Sequence, residues 1–171
     1  MVSCLNGRAI LSIFFYGLVS FVALGCTKSP SVLQDSAIKT IFFSTKDFKF
    51  YDLGFVKSYS NHISLEIFNA GTLLFKMDCY KDKICFNAQC YAKESMTRRL
   101  FGSDAFRELD FIALLKGREI FSGENKHQTL EGFSQTFIEK GMQLDYIVTK
   151  DSIMLHIQDI HKKTIFSLEI H

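Results

Sequence analysis

The stretch from His62 to Tyr80, HISLEIFNAGTLLFKMDCY, constrains the chain most, because apolar residues recur at every second position on both sides of a turn signal. Ile63, Leu65 and Ile67 fall on one face of a strand, with His62, Ser64 and Glu66 on the other. Asn69-Ala70-Gly71 turns the chain, and Leu73, Phe75, Met77 and Cys79 then alternate against Leu74, Lys76, Asp78 and Tyr80. A period of two excludes a helix and predicts a hairpin with one buried face. The rest of the chain must supply what that face packs against.

Much of the remaining sequence has the same character. From Ile38 the chain reads IKTIFFST and then DFKFYDLGFVK, where Phe48 and Phe50 alternate against Lys49. Lys81-Asp82 turns it into Lys83–Phe86, and strand signals return at residues 132–139, 143–149, 152–158 and 164–170 after a polar loop over 122–128. Between these blocks the spacing becomes helical. Met96 and Leu100 stand four apart in KESMTRRLF with Gly102 as a stop, and Ser103 or Asp104 can cap a second helix from Ala105 to about Lys116, ended by Gly117. Phe111 to Leu115 are apolar in succession, so the end of that helix needs covering on more than one side. The expectation is an α+β domain: a curled antiparallel sheet of about seven to nine strands wrapped around two short helices.

The N-terminus has a different composition. Arg8 precedes an uncharged run, Ala9 to Leu24, and Ala23-Leu24-Gly25 brings small residues up to Cys26, the order of a secretory signal peptide. The run is short for a membrane span, which takes about 20 apolar residues. The small residue before a cysteine resembles the lipobox of bacterial lipoproteins, although Ala23 stands where a Leu is usual. That resemblance implies cleavage before Cys26 and acylation of Cys26 with two or three chains, enough for a durable anchor. Thr27, where an Asp would retain such a lipoprotein at the inner membrane, implies the outer membrane. An ordinary secreted protein with Cys26 in a disulfide, and an uncleaved anchor helix, are the alternatives. The expected organisation is a signal over 1–25, a lipidated cysteine and tether over 26–37 with the sole proline Pro30, and a single domain over 38–171.

Removing residues 1–25 from 171 leaves 146, enough for one hydrophobic core. Of the 20 Lys and Arg only Arg8 is removed, and none of the 18 Asp and Glu, so 19 basic residues face 18 acidic ones. Such a balance, without a basic stripe, offers no field for nucleic acid. Catalytic patterns are scarce: there is no G-x-S-x-G, H-E-x-x-H, P-loop or G-x-G-x-x-G, and no cofactor or metal is expected. His62, His127, His156, His161 and His171 lack ligand spacing and read as surface residues. Beyond Cys26 three cysteines remain, so at most one intrachain bridge forms. Pairing Cys79 with Ile84 across the Lys81-Asp82 turn points Cys79 to the apolar face and Cys85 to the other, where Cys85 meets Cys90 across a short turn. A redox pair is the alternative to this structural staple, but the spacing is not C-x-x-C.

This order of elements, with SLEIFNAGTLLFKMD, RRLFGSDAFRELDFIALLKG, DSIMLHIQD and TIFSLEI, resembles the LolB-like outer-membrane lipoproteins and their LolA-like relatives. The resemblance implies an open β half-barrel closed by helices over an apolar cavity. It further implies an acyl-chain and lipoprotein binder facing the periplasm, with lipoprotein cargo, a LolA-like carrier as partner and no bond chemistry. It departs at the hairpin tip, where Asn69-Ala70-Gly71 replaces the bulky Leu of the family's membrane-active loop. The residues expected to line the cavity are Ile63, Leu65, Ile67, Leu73, Phe75 and Met77, with Phe111, Ile112 and Leu115 from the helix; a filled core of the same residues is the competing expectation. Phe68 and Leu74, apolar on the outward face beside the tip, are expected to touch membrane or incoming acyl chain. A structural or protein-interaction lipoprotein without a ligand cavity is the second functional expectation.

Overall fold

Tight two-residue turns with left-handed backbone organise the hairpins. Ala70-Gly71, Asn87-Ala88 and Lys140-Gly141 all have positive φ at both positions, the geometry whose twist matches that of the flanking strands. In the computed structural model, which describes Ser31–His171, the strands they join belong to one eleven-stranded sheet. The signal segment, Cys26 and Thr27 lie outside the described residues.

The chain first makes β1 (Leu33–Ser44), β2 (Lys49–Tyr59), β3 (Ile63–Asn69), β4 (Thr72–Cys79), β5 (Lys83–Phe86) and β6 (Gln89–Ala92), each antiparallel to the one before. Helices α1 (Lys93–Phe101) and α2 (Phe111–Leu115) follow, then β7 (Lys126–Gln128), β8 (Gly132–Glu139), β9 (Met142–Thr149), β10 (Ile153–Asp159) and β11 (Thr164–Ile170). The spatial order is β6-β5-β4-β3-β2-β1-β11-β10-β9-β8-β7, so the first and last strands pair in the middle and the sheet remains open at β6 and β7. The helical segment crosses from one edge to the other. Three contacts pin it to one face: Phe101 stacks edge-on against Phe166 at 5.2 Å, the Tyr146 hydroxyl donates to the carbonyls of Leu114 and Arg118, and Gln135 pairs with the backbone of Ile120.

Several expectations need correction. The strand expected from Ile38 begins at Leu33, inside the stretch read as tether, and pairs with β2 from its first residue. Eleven strands replace the seven to nine expected. The second helix does not run from Ala105 to Lys116: Phe106 has φ +58°, which breaks helical continuity, and the carboxylate of Asp110 accepts from the backbone of Ile112 and Ala113, starting the helix at Phe111. The first helix ends at Gly102 in the left-handed conformation, as the spacing predicts.

Alternation puts Ile41, Phe43, Ile63, Leu65, Ile67, Phe75, Met77, Leu144, Tyr146, Leu155, Phe166 and Leu168 into one cluster with Leu100, Phe101, Phe106, Leu114 and Leu115 from the crossing segment. Each such side chain contributes about 1.5–3 kcal/mol on burial, so this cluster supplies the main driving force for the fold. Gly54 is a packing necessity within it. A Cβ there would stand 2.2 Å from the Glu66 carbonyl oxygen and 2.6 Å from Ile41 Cδ1.

Candidate functional site

The residues expected to line a cavity divide into three groups. Leu65, Ile67 and Met77 have no exposed surface at all and belong to a filled core, so the interior is not open at these positions. Phe111 is buried in the same core and Ile112 packs against it half-exposed. Ile63, Leu115 and Phe75 are also buried, but each borders an opening at one end of the core. Leu73 is a correction: it is 45 % exposed on the outer face. Register explains it, because Ile67 pairs with Phe75 while Phe68 pairs with Leu73, leaving Leu74 as the extra residue of a bulge. One inserted residue reverses the facing of what lies beyond it.

Of the two residues expected at a membrane, Leu74 is 43 % exposed and Phe68 is half-buried, its ring edge-on to Phe55 at 5.6 Å. Leu73 and Leu74 thus form the apolar end of the hairpin, rather than Phe68 and Leu74. On the outer face with Leu73 stand Ile38, Tyr51 and Leu53, all exposed.

The more developed of the two openings lies at the C-terminal end of β1. Five phenylalanines meet there with ring centroids 4.9 Å (Phe43–Phe75), 5.2 Å (Phe75–Phe86), 5.5 Å (Phe48–Phe50 and Phe50–Phe75) and 5.6 Å (Phe43–Phe48) apart. Phe43 is the floor and has no exposed surface. Above it, Phe48, Phe50, Leu74, Phe75 and Phe86 line a groove of about 490 Å³ with Asn87 and Gln89 at its lip. A smaller pocket of about 200 Å³ shares Phe48, Phe86 and Gln89 and continues to Tyr91, Met96, Arg99 and Leu100. Arg99 stands over the Tyr91 ring at 4.6 Å, a cation at the edge of an apolar surface. Sequence reasoning overlooked Phe48, Phe50 and Phe86 as lining residues. The signal was the alternation of Phe48 and Phe50 against Lys49, read only as a strand.

The other opening lies at the N-terminal end of β1, about 470 Å³ in volume, between Ala37, Lys39, Val56, Ile63, Leu115, Ile153 and Ile170.

The outer face of β3 carries a second departure from expectation. His62 is buried rather than at the surface, its ring stacked between Tyr59 at 4.3 Å and Tyr80 at 4.7 Å. Glu66 is buried as well, held by Lys57 Nζ at 2.6 Å and Lys76 Nζ at 3.5 Å, and Lys76 also approaches Asp78 at 3.5 Å. Burial pushes the His62 pKa below its ordinary value, against the opposing pull of Asp78, whose carboxylate lies 3.9 Å away. The same network holds the fully buried Ser64, whose hydroxyl donates to Glu66 Oε1 at 3.5 Å.

Cys85 and Cys90 face each other in β5 and β6 and are joined by a disulfide, and Cys79 is a buried free thiol opposite Ile84, as the register argument expects. Burial raises the Cys79 pKa, which keeps the thiol protonated and unreactive. Among the described residues no three His, Cys, Asp or Glu side chains are placed to hold a metal ion, and no helix is long and apolar enough to cross a membrane. Set against known protein families and curated proteins, the sequence matches none of them.

Proposed function

We propose that the protein is a lipid-anchored, periplasm-facing binder of acyl chains that takes part in placing lipoproteins in the outer membrane and performs no bond chemistry. The observation that carries this reading is the groove of Phe48, Phe50, Leu74, Phe75 and Phe86, an aromatic surface left open beside the packed core. Its volume lies in the range of small-molecule sites, and its lining has no charged group to reject a hydrocarbon chain. In this reading the half-barrel is covered by the helical segment, and a cargo chain enters at the end of β1 rather than among the core residues. The lipobox-like Cys26 supplies the anchor, with Thr27 directing it to the outer membrane and a LolA-like carrier as the donor of cargo.

The test uses the full-length protein in neutral detergent and a diacylated lipopeptide with a diazirine in one acyl chain. Irradiation should place label on peptides containing Phe48–Phe50 and Leu74–Phe86. Replacing both Phe48 and Phe86, which are only partly buried, by Ser should lower that label strongly while the circular dichroism of the sheet persists. Label spread evenly over the chain, or unchanged in the variant, would sink the reading.

A second reading, an envelope lipoprotein that docks a partner, is favoured by the exposed apolar residues Ile38, Tyr51, Leu53 and Leu73 on the outer face. Retention of membrane-complex assembly in the Ser variant, with loss on changing Tyr51 and Leu53 to Ser, would select it.

A further inference from the structure

We propose that the opening at the N-terminal end of β1 is a second binding site, one that takes the anionic end of a single-chain amphiphile such as a fatty carboxylate. It goes beyond the acyl-chain reading above, which concerns the aromatic groove at the other end of the same strand.

The opening arises from unequal strand lengths. β11 stops at Ile170, and His171 makes the last backbone pair with Thr40, whereas β1 extends back to Leu33 with only β2 beside it. A notch is left between the overhanging part of β1 and the start of β10. The inward-facing residues of β1 change character at this place: Phe43 and Ile41 are core, and Lys39 is next on the same face. Its cross-strand neighbour on β2 is Gly54, which has no side chain to cover it. An inward lysine thus borders a cleft floored by Val56, Ile63, Leu115, Ile153 and Ile170.

The charges of the rim point the same way. Lys116 and Arg118, just past α2, line the cleft with Lys39, and an adjoining depression of about 250 Å³ shares Lys39 and Lys116 and adds Lys150. Among the described residues none of these four cations makes an ion pair or a side-chain hydrogen bond, whereas Lys57, Lys76, Arg98 and Lys126 do. The carboxylates at the rim are Asp35 in the cleft and Asp151 in the adjoining depression, so cations outnumber them in both together. Unpaired cations around an apolar floor fit a ligand with a negative head and a hydrocarbon tail. A neutral lipid would leave the charges unanswered, and a free anion would leave the floor bare. Arg118 supplies a planar fork suited to carboxylate or phosphate.

The test uses the full-length protein in neutral detergent with two probes, a diazirine-bearing dodecanoate and the matching dodecanol, each mapped by peptide mass spectrometry. Dodecanoate should label segments around Lys39, Lys116–Arg118 and Ile153, and dodecanol should do so about tenfold less, the discrimination expected of a charge-assisted contact. The triple variant Lys39→Gln, Lys116→Gln, Arg118→Gln changes side chains outside the packed core and should lose the dodecanoate label to a similar extent, while label at Phe48–Phe86 stays as it was. Equal labelling by both probes, or undiminished label in the variant, overturns the proposal. Label confined to the aromatic groove also overturns it and leaves the first site standing, and label at the notch alone does the reverse.

Discussion

Gln135 shows how much a single side chain contributes to holding the crossing segment. It has no exposed surface, and its amide is fully used: Oε1 accepts from the Ile120 backbone at 2.9 Å, while Nε2 donates to the carbonyls of Ile120 at 3.0 Å and Glu124 at 2.7 Å. Gln135→Leu keeps the volume but orphans these backbone groups, and is expected to cost about 1–3 kcal/mol, read as a lower urea midpoint with an unchanged slope. His62 makes a different prediction. Its folded pKa lies below its unfolded value of 6.5, so between the two the unfolded chain binds the extra proton. Stability should therefore be full above about pH 6.5, fall as the pH drops through that value toward the folded pKa, and level off below it. His62→Phe preserves stacking with Tyr59 and Tyr80 and should flatten that part of the profile; an unchanged slope would mean that the histidine is not responsible. Burial of His62 was not legible in the sequence. It lies on the outward face by alternation, and only the flanking tyrosines, Tyr59 and Tyr80, brought over it by neighbouring strands, enclose it.

At the scale of elements, the hairpins were legible because a period of two leaves little freedom. The pairing of Cys79 with Ile84 followed from the Lys81-Asp82 turn together with parity, and the meeting of Cys85 with Cys90 from the short turn that follows. What alternation cannot reveal is an insertion. The bulge at Leu74 preserves every apolar residue yet reverses the facing of Leu73, which is why that expected cavity residue stands outside, while Leu74, the extra residue, borders the groove. The second helix was overextended for a similar reason: Ala105, Phe106 and Leu109 are buried like helical core residues, but the first two lie in a turn and Leu109 in the irregular link after it. Two consequences can be measured. Cys79 should resist iodoacetamide in the native protein and react on denaturation, with Cys85 and Cys90 unlabelled until reduced. Rapid native labelling of Cys79 would contradict its burial. Gly54→Ala must displace the Glu66 carbonyl or the Ile41 side chain, and is expected to cost about 1–3 kcal/mol, again read from the urea midpoint.

For the whole molecule, the sequence established an α+β chain dominated by antiparallel sheet, but not the order of its strands, since hairpin signals specify neighbours along the chain and say nothing about a pairing between its ends. That pairing joins Ile41 to Ile170 and Phe43 to Leu168, across nearly the full length of the domain. The proposed anchor is tested at this scale too: Cys26→Ala should abolish acyl labelling and, once the signal is cleaved, release the protein from membranes, since the near-balanced charge of the mature chain offers no second attachment. The central seam also has a kinetic meaning. Every other strand contact in the sheet is a hairpin that can form from a short stretch of chain, whereas the seam closes a loop of more than a hundred residues and depends on the last strand made. The two halves should gain order first, as separate meanders, and join last. Ile41→Val, a change of one methylene at the seam, should then hasten unfolding and leave the refolding rate almost untouched, whereas slower refolding would place the seam in the transition state.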